Sequence, residues 1–123
     1  GGSIPHRQYR VGEEGRSIVE RYDRRLTPTT AAPAFDCGEV GPLGPPDVEG
    51  VEVGPAGWVP FTMPFNMTGQ PAMSVPLFWT ETNIPLGTHF IGRFGDELSL
   101  FQLARQLELD TPWFGKRPAS HII

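Results

Sequence analysis

A chain of 123 residues is one domain in length, and its 15 Gly and 14 Pro, roughly double average usage, leave room for one modest core with long irregular stretches around it. A net charge of −4, with nine Arg and one Lys in no dominant block, excludes the basic footprint of a nucleic-acid-binding protein, and no apolar run approaches the ~20 residues of a membrane span. The single cysteine excludes an internal disulfide framework and, with no signal peptide at the start, predicts a cytoplasmic protein.

Residues 1–12 are polar, carry no order signal and open with Gly1-Gly2-Ser3, so they are expected to be disordered or left over from expression. Over residues 13–22, Ile18, Val19 and Tyr22 sit among charges at helical spacing. They predict a short amphipathic helix, which Gly15 weakens and Pro28 stops beyond. Between residues 29 and 60 prolines alternate with glycines and acidic residues and no apolar period survives. That segment reads as a long Pro/Gly-rich loop lying over a larger surface. Two β-like runs follow, 73–79 and 86–92, joined by residues 80–85, where Asn83 suits a left-handed reversal. Pro76 inside the first run removes a ladder donor and predicts an edge or a bulge. The clearest element is a helix over residues 96–109. Asp96 caps it, Glu97 complements its dipole, and Leu100, Leu103, Ala104 and Leu107 form an apolar face that Leu98 and Phe101 widen. Pro112 ends it, and Trp113 with Phe114 reads as an anchor. So wide a face needs a substantial partner, which two short strands and one weak helix barely supply.

Residues 60–76, PFTMPFNMTGQPAMSVP, resemble the C-terminal part of amidase signature enzymes. Those read as an aromatic-Thr pair, then Asn-Leu-Thr/Ala-Gly-x-Pro-Ala, then a small-apolar strand ending in Pro. Residues 84–92, IPLGTHFIG, are similar to the family's LPxGxQhhG strand, and Asp96-Glu97-Leu98 opens its DExxLhxhAxxhE helix. Trp113 and Pro118 resemble the closing PW…RxP, and residues 22–29, YDRRLTPT, resemble fDvllTPT. Five pieces in the right order span residues 22–118. The resemblance implies an α/β fold: a C-terminal fragment of the family's mixed sheet, with two or three strands, one main helix and the loop over 29–60. It makes residues 1–123 the C-terminal portion of a single amidase domain, best matched over 61–118. Three features depart from the pattern. Arg24 and Arg25 replace apolar residues of a strand that the family buries, His89 stands where the family favours Gln, and Asn83 replaces a turn Gly.

The family hydrolyses amides with a Ser–cis-Ser–Lys triad. Its Lys accepts a proton through the bridging Ser, and backbone N–H groups of a Gly/Ser-rich loop hold the oxyanion. Here the one lysine is Lys116, in a polar tail, and Gly1-Gly2-Ser3 runs into Ile4-Pro5 rather than into that motif. The triad is therefore expected on an upstream catalytic portion of the same protein, with no catalytic residue in this chain and no activity for the chain alone.

Candidate chemistry within the segment has ordinary explanations. Cys37 lies in the Pro/Gly-rich loop with no His nearby in sequence, and His6, His89 and His121 lack ligand spacing, so neither a reactive thiol nor a metal site is expected. Asp96 and Glu97 point apart on a helix start that accounts for both. No cofactor is implied. The resemblance brings residues 60–66 close to the active-site pocket and makes Trp58, Phe61 and Thr62 wall residues for a small-molecule amide. Asn66 is expected to lock the turn before Gly69, and Gly69 and Pro71 to serve backbone geometry. His89 reads as a hydrogen-bonded core histidine pointing away from Thr88 and Phe90.

The leading expectation is thus the non-catalytic C-terminal part of an amidase. The alternatives are part of an amidotransferase A subunit, the one reading with a nucleic-acid partner, and a free-standing interaction module working through its loop and strand edges. Unpaired edges and an uncovered helix face further predict self-association of the isolated chain.

Overall fold

The computed structural model describes residues 22–36 and 43–118. The expected helix over 13–22 falls outside these residues except for Tyr22, as do residues 1–12, Cys37 and His121. The chain order is β1 (Arg25–Pro28), β2 (Asp47–Val48), β3 (Val51–Glu52), α1 (Met63–Thr68), β4 (Ala72–Trp79), β5 (Pro85–Ile91) and α2 (Glu97–Asp110). Three strands form one antiparallel sheet in the order β1-β5-β4, and β2 pairs with β3 in a separate two-stranded hairpin. The α/β class with three main strands and one main helix is therefore as expected. No described helix is long and apolar enough to cross a membrane.

Strand β5 takes the centre because it has a partner on each side. The expected turn closes the β4–β5 hairpin: Asn83 lies at φ 64°, the Thr80 N–H donates to the Ile84 carbonyl and the Asn83 N–H to the Thr80 carbonyl, both at 2.9 Å. Register runs from Ala72↔Ile91 to Val75↔Thr88, then shifts before Phe78↔Leu86. Pro76 sits inside that shift, on an edge strand, where its missing N–H leaves no ladder bond unmade. Strand β1 lies against the far side of β5 with Leu26↔Phe90 and Thr27↔His89. Arg24 and Arg25 are half-buried there, the Arg25 guanidinium lying over the Phe65 ring and the Arg24 Nε buried without a partner among the described residues.

The helix after the sheet is capped by Asp96, whose side chain accepts from the Ser99 N–H at 3.3 Å. Hydrogen bonding from Ser99, its side chain first and its backbone N–H second, holds the Asp96 carboxyl below its ordinary pKa. Its apolar residues divide into two stripes, which corrects the expected single face. Leu100 is buried, and Leu103, Ala104 and Leu107 are half-buried beside it. Leu98, Phe101 and Leu109 instead share the opposite side and stand about two-thirds or more exposed, at 68, 73 and 66 %. At 100° per residue, positions 98, 101 and 109 fall within one narrow arc, half a turn from positions 100, 103 and 107. Among the described residues the core is accordingly small: Phe65, Val75, Ile91 and Leu100 are its buried apolar side chains.

Where it is described, the Pro/Gly-rich loop expected over 29–60 carries a short hairpin that the sequence pattern does not predict. Glu49 and Gly50, at φ 52° and 78°, turn the β2–β3 hairpin. The Ala31 N–H donates to the Trp58 carbonyl and the Ala56 N–H to the Leu43 carbonyl, both at 2.9 Å. Local turns, rather than an apolar period, order this stretch. The short helix α1 was not expected either. Pro64 stands in its first turn, where a missing N–H costs nothing, and Gly69 ends it in the left-handed conformation at φ 68°.

Candidate functional site

A cleft of ≈ 360 Å³ opens between α1 and the face of the sheet. Four elements bring its polar groups together. Register places Thr27, His89 and Ser74 side by side across β1, β5 and β4, so their side chains share one face. Helix α1 and the residue before it add Thr62, Phe65 and Asn66, and the chain leaving β1 adds Thr29.

The floor of the cleft depends on Gly87. The Thr29 and Ser74 hydroxyls meet at 2.6 Å, and a Cβ placed on Gly87 would lie 2.4 Å from the Thr29 Oγ1 and 2.6 Å from the Ser74 Oγ. The hydroxyl pair therefore crosses β5 at the one residue with no side chain on that face. The Thr29 N–H holds the register there by donating to the Gly87 carbonyl at 3.0 Å.

His89 is buried, at 5 % exposure. Its Nδ1 shares a 3.1 Å hydrogen bond with the Thr27 hydroxyl, and its ring meets Phe65 edge-on with centroids 5.6 Å apart. The Arg25 guanidinium lies over that same Phe65 ring, 5.7 Å from its centroid. Burial pushes the His89 pKa below its ordinary 6.5, so the neutral imidazole is the folded form. An unfolded chain takes up this proton as pH falls through about 6.5, while the folded chain resists until lower pH. The contribution to stability is thus complete above that range and is lost as pH drops. We expect urea midpoints to fall between about pH 7.5 and 5.5, with a shallower fall in His89→Gln, which cannot be protonated. Equal slopes for the two proteins would contradict this.

The expected wall residues divide. Thr62 lines the cleft, whereas Phe61 is half-buried and does not; Asn66, expected to lock the turn before Gly69, lines the cleft as well. Trp58 packs elsewhere, edge-on to Phe35 at 5.2 Å, with its Nε1 donating to the Leu43 carbonyl at 3.1 Å. Asn66 is exposed on α1. The bonds that close the turn come from the Gly69 N–H to the Phe65 carbonyl and from the Gln70 N–H to the Thr68 hydroxyl. The Pro71 carbonyl accepts from the Gly92 N–H at 2.9 Å, extending the β4–β5 ladder. Thr29, Gln70 and Ser74 were not anticipated. Gln70 is buried, its Nε2 donates to the Gly92 carbonyl at 3.1 Å, and its Oε1 has no partner among the described residues. Polar residues set within apolar strand runs were the available signal, but only register shows that they meet. Among the described residues no three His, Cys, Asp or Glu side chains gather as metal ligands would.

The amidase family model matches residues 4–101. The 6-aminohexanoate-cyclic-dimer hydrolase of Pseudomonas sp. (strain NK87) is 32 % identical over 115 residues, which cover 90 % of this chain and 23 % of that protein. The A subunit of the glutamyl-tRNA(Gln) amidotransferase of Thermotoga maritima is 33 % identical over 104 residues, covering 85 % of this chain and 20 % of that one. Among solved structures, a bacterial aryl acylamidase of the amidase signature family matches with a TM-score of 0.77 at 28 % identity, over 86 % of this chain and 22 % of its own. The chain thus spans about a fifth to a quarter of the length of these relatives.

Proposed function

The chain belongs to the amidase signature family, and from that premise we propose that it is the non-catalytic part of an enzyme hydrolysing carboxylic amide C–N bonds. In this reading it supplies core strands and part of the substrate-pocket wall, and the nucleophile and base lie on an upstream portion. The supporting observation is the hydrogen bonding of Ser74 and His89, which could otherwise pass for a nucleophile and its base. Ser74 bonds to Thr29 and the His89 Nδ1 to Thr27, so the pair lacks the mutual bond that activates a hydroxyl. The outer stripe of Leu98, Phe101 and Leu109 fits a face that the rest of such an enzyme covers.

The 123-residue chain is therefore expected to release no product above buffer from a panel of aryl amides. Turnover that disappears on Ser74→Ala, His89→Ala or Cys37→Ala would overturn the assignment. The amidotransferase relative supports a second reading, in which the segment serves the A subunit of such a complex. Amide hydrolysis by the isolated parent polypeptide favours the first reading, and hydrolysis only within a multi-subunit complex favours the second.

A further inference from the structure

Helix α1 is six residues long, too short to persist without tertiary support. Its buried side chains are Phe65 and Thr68, and the Thr68 hydroxyl stays within its own turn, donating to the Phe65 carbonyl and accepting from the Gln70 N–H. Phe65 is therefore the anchor. It reaches the sheet at His89, edge-on with centroids 5.6 Å apart, while the Arg25 guanidinium lies over the same ring.

His89 is the half of this contact that can change its charge. Among the described residues the Thr27 hydroxyl is the ring's hydrogen-bond partner. Strands β1, β4 and β5 and helix α1 hold one other charged residue, Arg25, a cation on the same face. Farther along that face Asp23 and Arg93 form a 3.1 Å ion pair. Helix α2 packs on the other side, where Leu100 meets Gly92, so its carboxylates do not face the ring. A proton on His89 would leave a buried cation near a second cation, with no carboxylate lining the cleft. Burial already holds the His89 pKa below 6.5. Such a charge gains most from hydration, and withdrawal of Phe65 would admit water from the cleft.

We propose that His89 is a proton-operated latch: taking up a proton releases Phe65, unwinds α1 and opens the cleft, while the three-stranded sheet stays folded. The closed form prefers the neutral ring, so it is favoured above about pH 6.5 and loses ground below it. There the open-to-closed ratio rises by up to about tenfold per pH unit. The family pattern favours Gln at this position, and Gln takes up no proton, so the pattern itself does not contain the latch. Nothing in this argument depends on the amidase reading.

The test is amide hydrogen exchange in the ¹⁵N-labelled 123-residue chain, read by NMR and corrected for the intrinsic pH dependence of exchange. The Phe65 N–H, bonded to the Thr62 carbonyl at 3.1 Å, and the Gly69 N–H, bonded to the Phe65 carbonyl at 3.0 Å, report on α1. The Gly92 N–H, bonded to the Pro71 carbonyl at 2.9 Å, reports on the sheet. Between about pH 7.5 and 5.5, protection at Phe65 and Gly69 is expected to fall by about five- to tenfold. A local opening exposes little surface, so this protection should respond far less to low urea than protection at Gly92 does. His89→Gln should hold α1 protection constant over the same range, and the urea comparison within the parent chain stands even if that variant fails to fold. Protection at α1 that ignores pH, an equal fall in His89→Gln, or a fall as steeply urea-dependent as that at Gly92 each overturns the latch.

Discussion

Gly87→Ala is expected to destabilise the chain by about 1–3 kcal/mol, the range for forcing an extra carbon into a packed site. The added Cβ would fall 2.9 Å from the Thr29 Cβ as well as on the two hydroxyls. The Thr29 side chain cannot simply swing its tip aside, since its branch point is in the way. Relief requires moving the backbone after β1, which the Thr29 N–H bond to the Gly87 carbonyl holds. Two measurements separate crowding from a general weakening of the sheet. Urea denaturation should show a lower midpoint at unchanged slope. Adding Thr29→Ala should recover part of the loss, giving a coupling between the two sites that distant pairs do not show. A Gly87→Ala chain as stable as the parent would mean that the hydroxyls do not meet over β5.

The second large effect is expected at Ile91. Its side chain is fully buried, at 0 % exposure, and its strand position is paired on both sides, with Arg25 on β1 and Ala72 on β4. With so few buried apolar side chains, little can shift to fill a void. Ile91→Ala should cost about 2–5 kcal/mol, a large share of the ~5–15 kcal/mol that stabilises a domain. Leu98→Ala provides the contrast. It removes a similar volume from the outer stripe of α2, so in the isolated chain the change should stay within about 0.5 kcal/mol. Comparable losses at both positions would show that the outer stripe is covered in the isolated chain and would contradict the two-stripe helix.

The hairpin and the main helix were legible because their signals are local. Asn83 suits a left-handed turn, Asp96 is a capping residue, and Leu100, Leu103 and Leu107 keep helical spacing. The strand at Arg25–Pro28 came from resemblance, since two arginines break its apolar pattern. Helix α1 escaped because six residues starting beside two prolines carry no period to detect. The hairpin of β2 and β3 is only two residues per strand, too short for alternation to register. The candidate site was the least readable part. Thr62 and Asn66 came from a motif, but Thr29 and Ser74 are 45 residues apart and meet only because the sheet order puts β5 between their strands. Periodicity also cannot say which of two apolar stripes is buried. That depends on what packs against the helix, and it separated Leu98 and Phe101 from Leu100.

We have proposed that this chain is part of a larger amide hydrolase. The most direct test is the intact mass of the native polypeptide that carries this sequence, captured from the cells that make it. A species roughly four times 13.5 kDa is expected, as follows from a segment that covers 22 to 24 % of its structural relatives. A native polypeptide of 13.5 kDa, with no larger form, would contradict it.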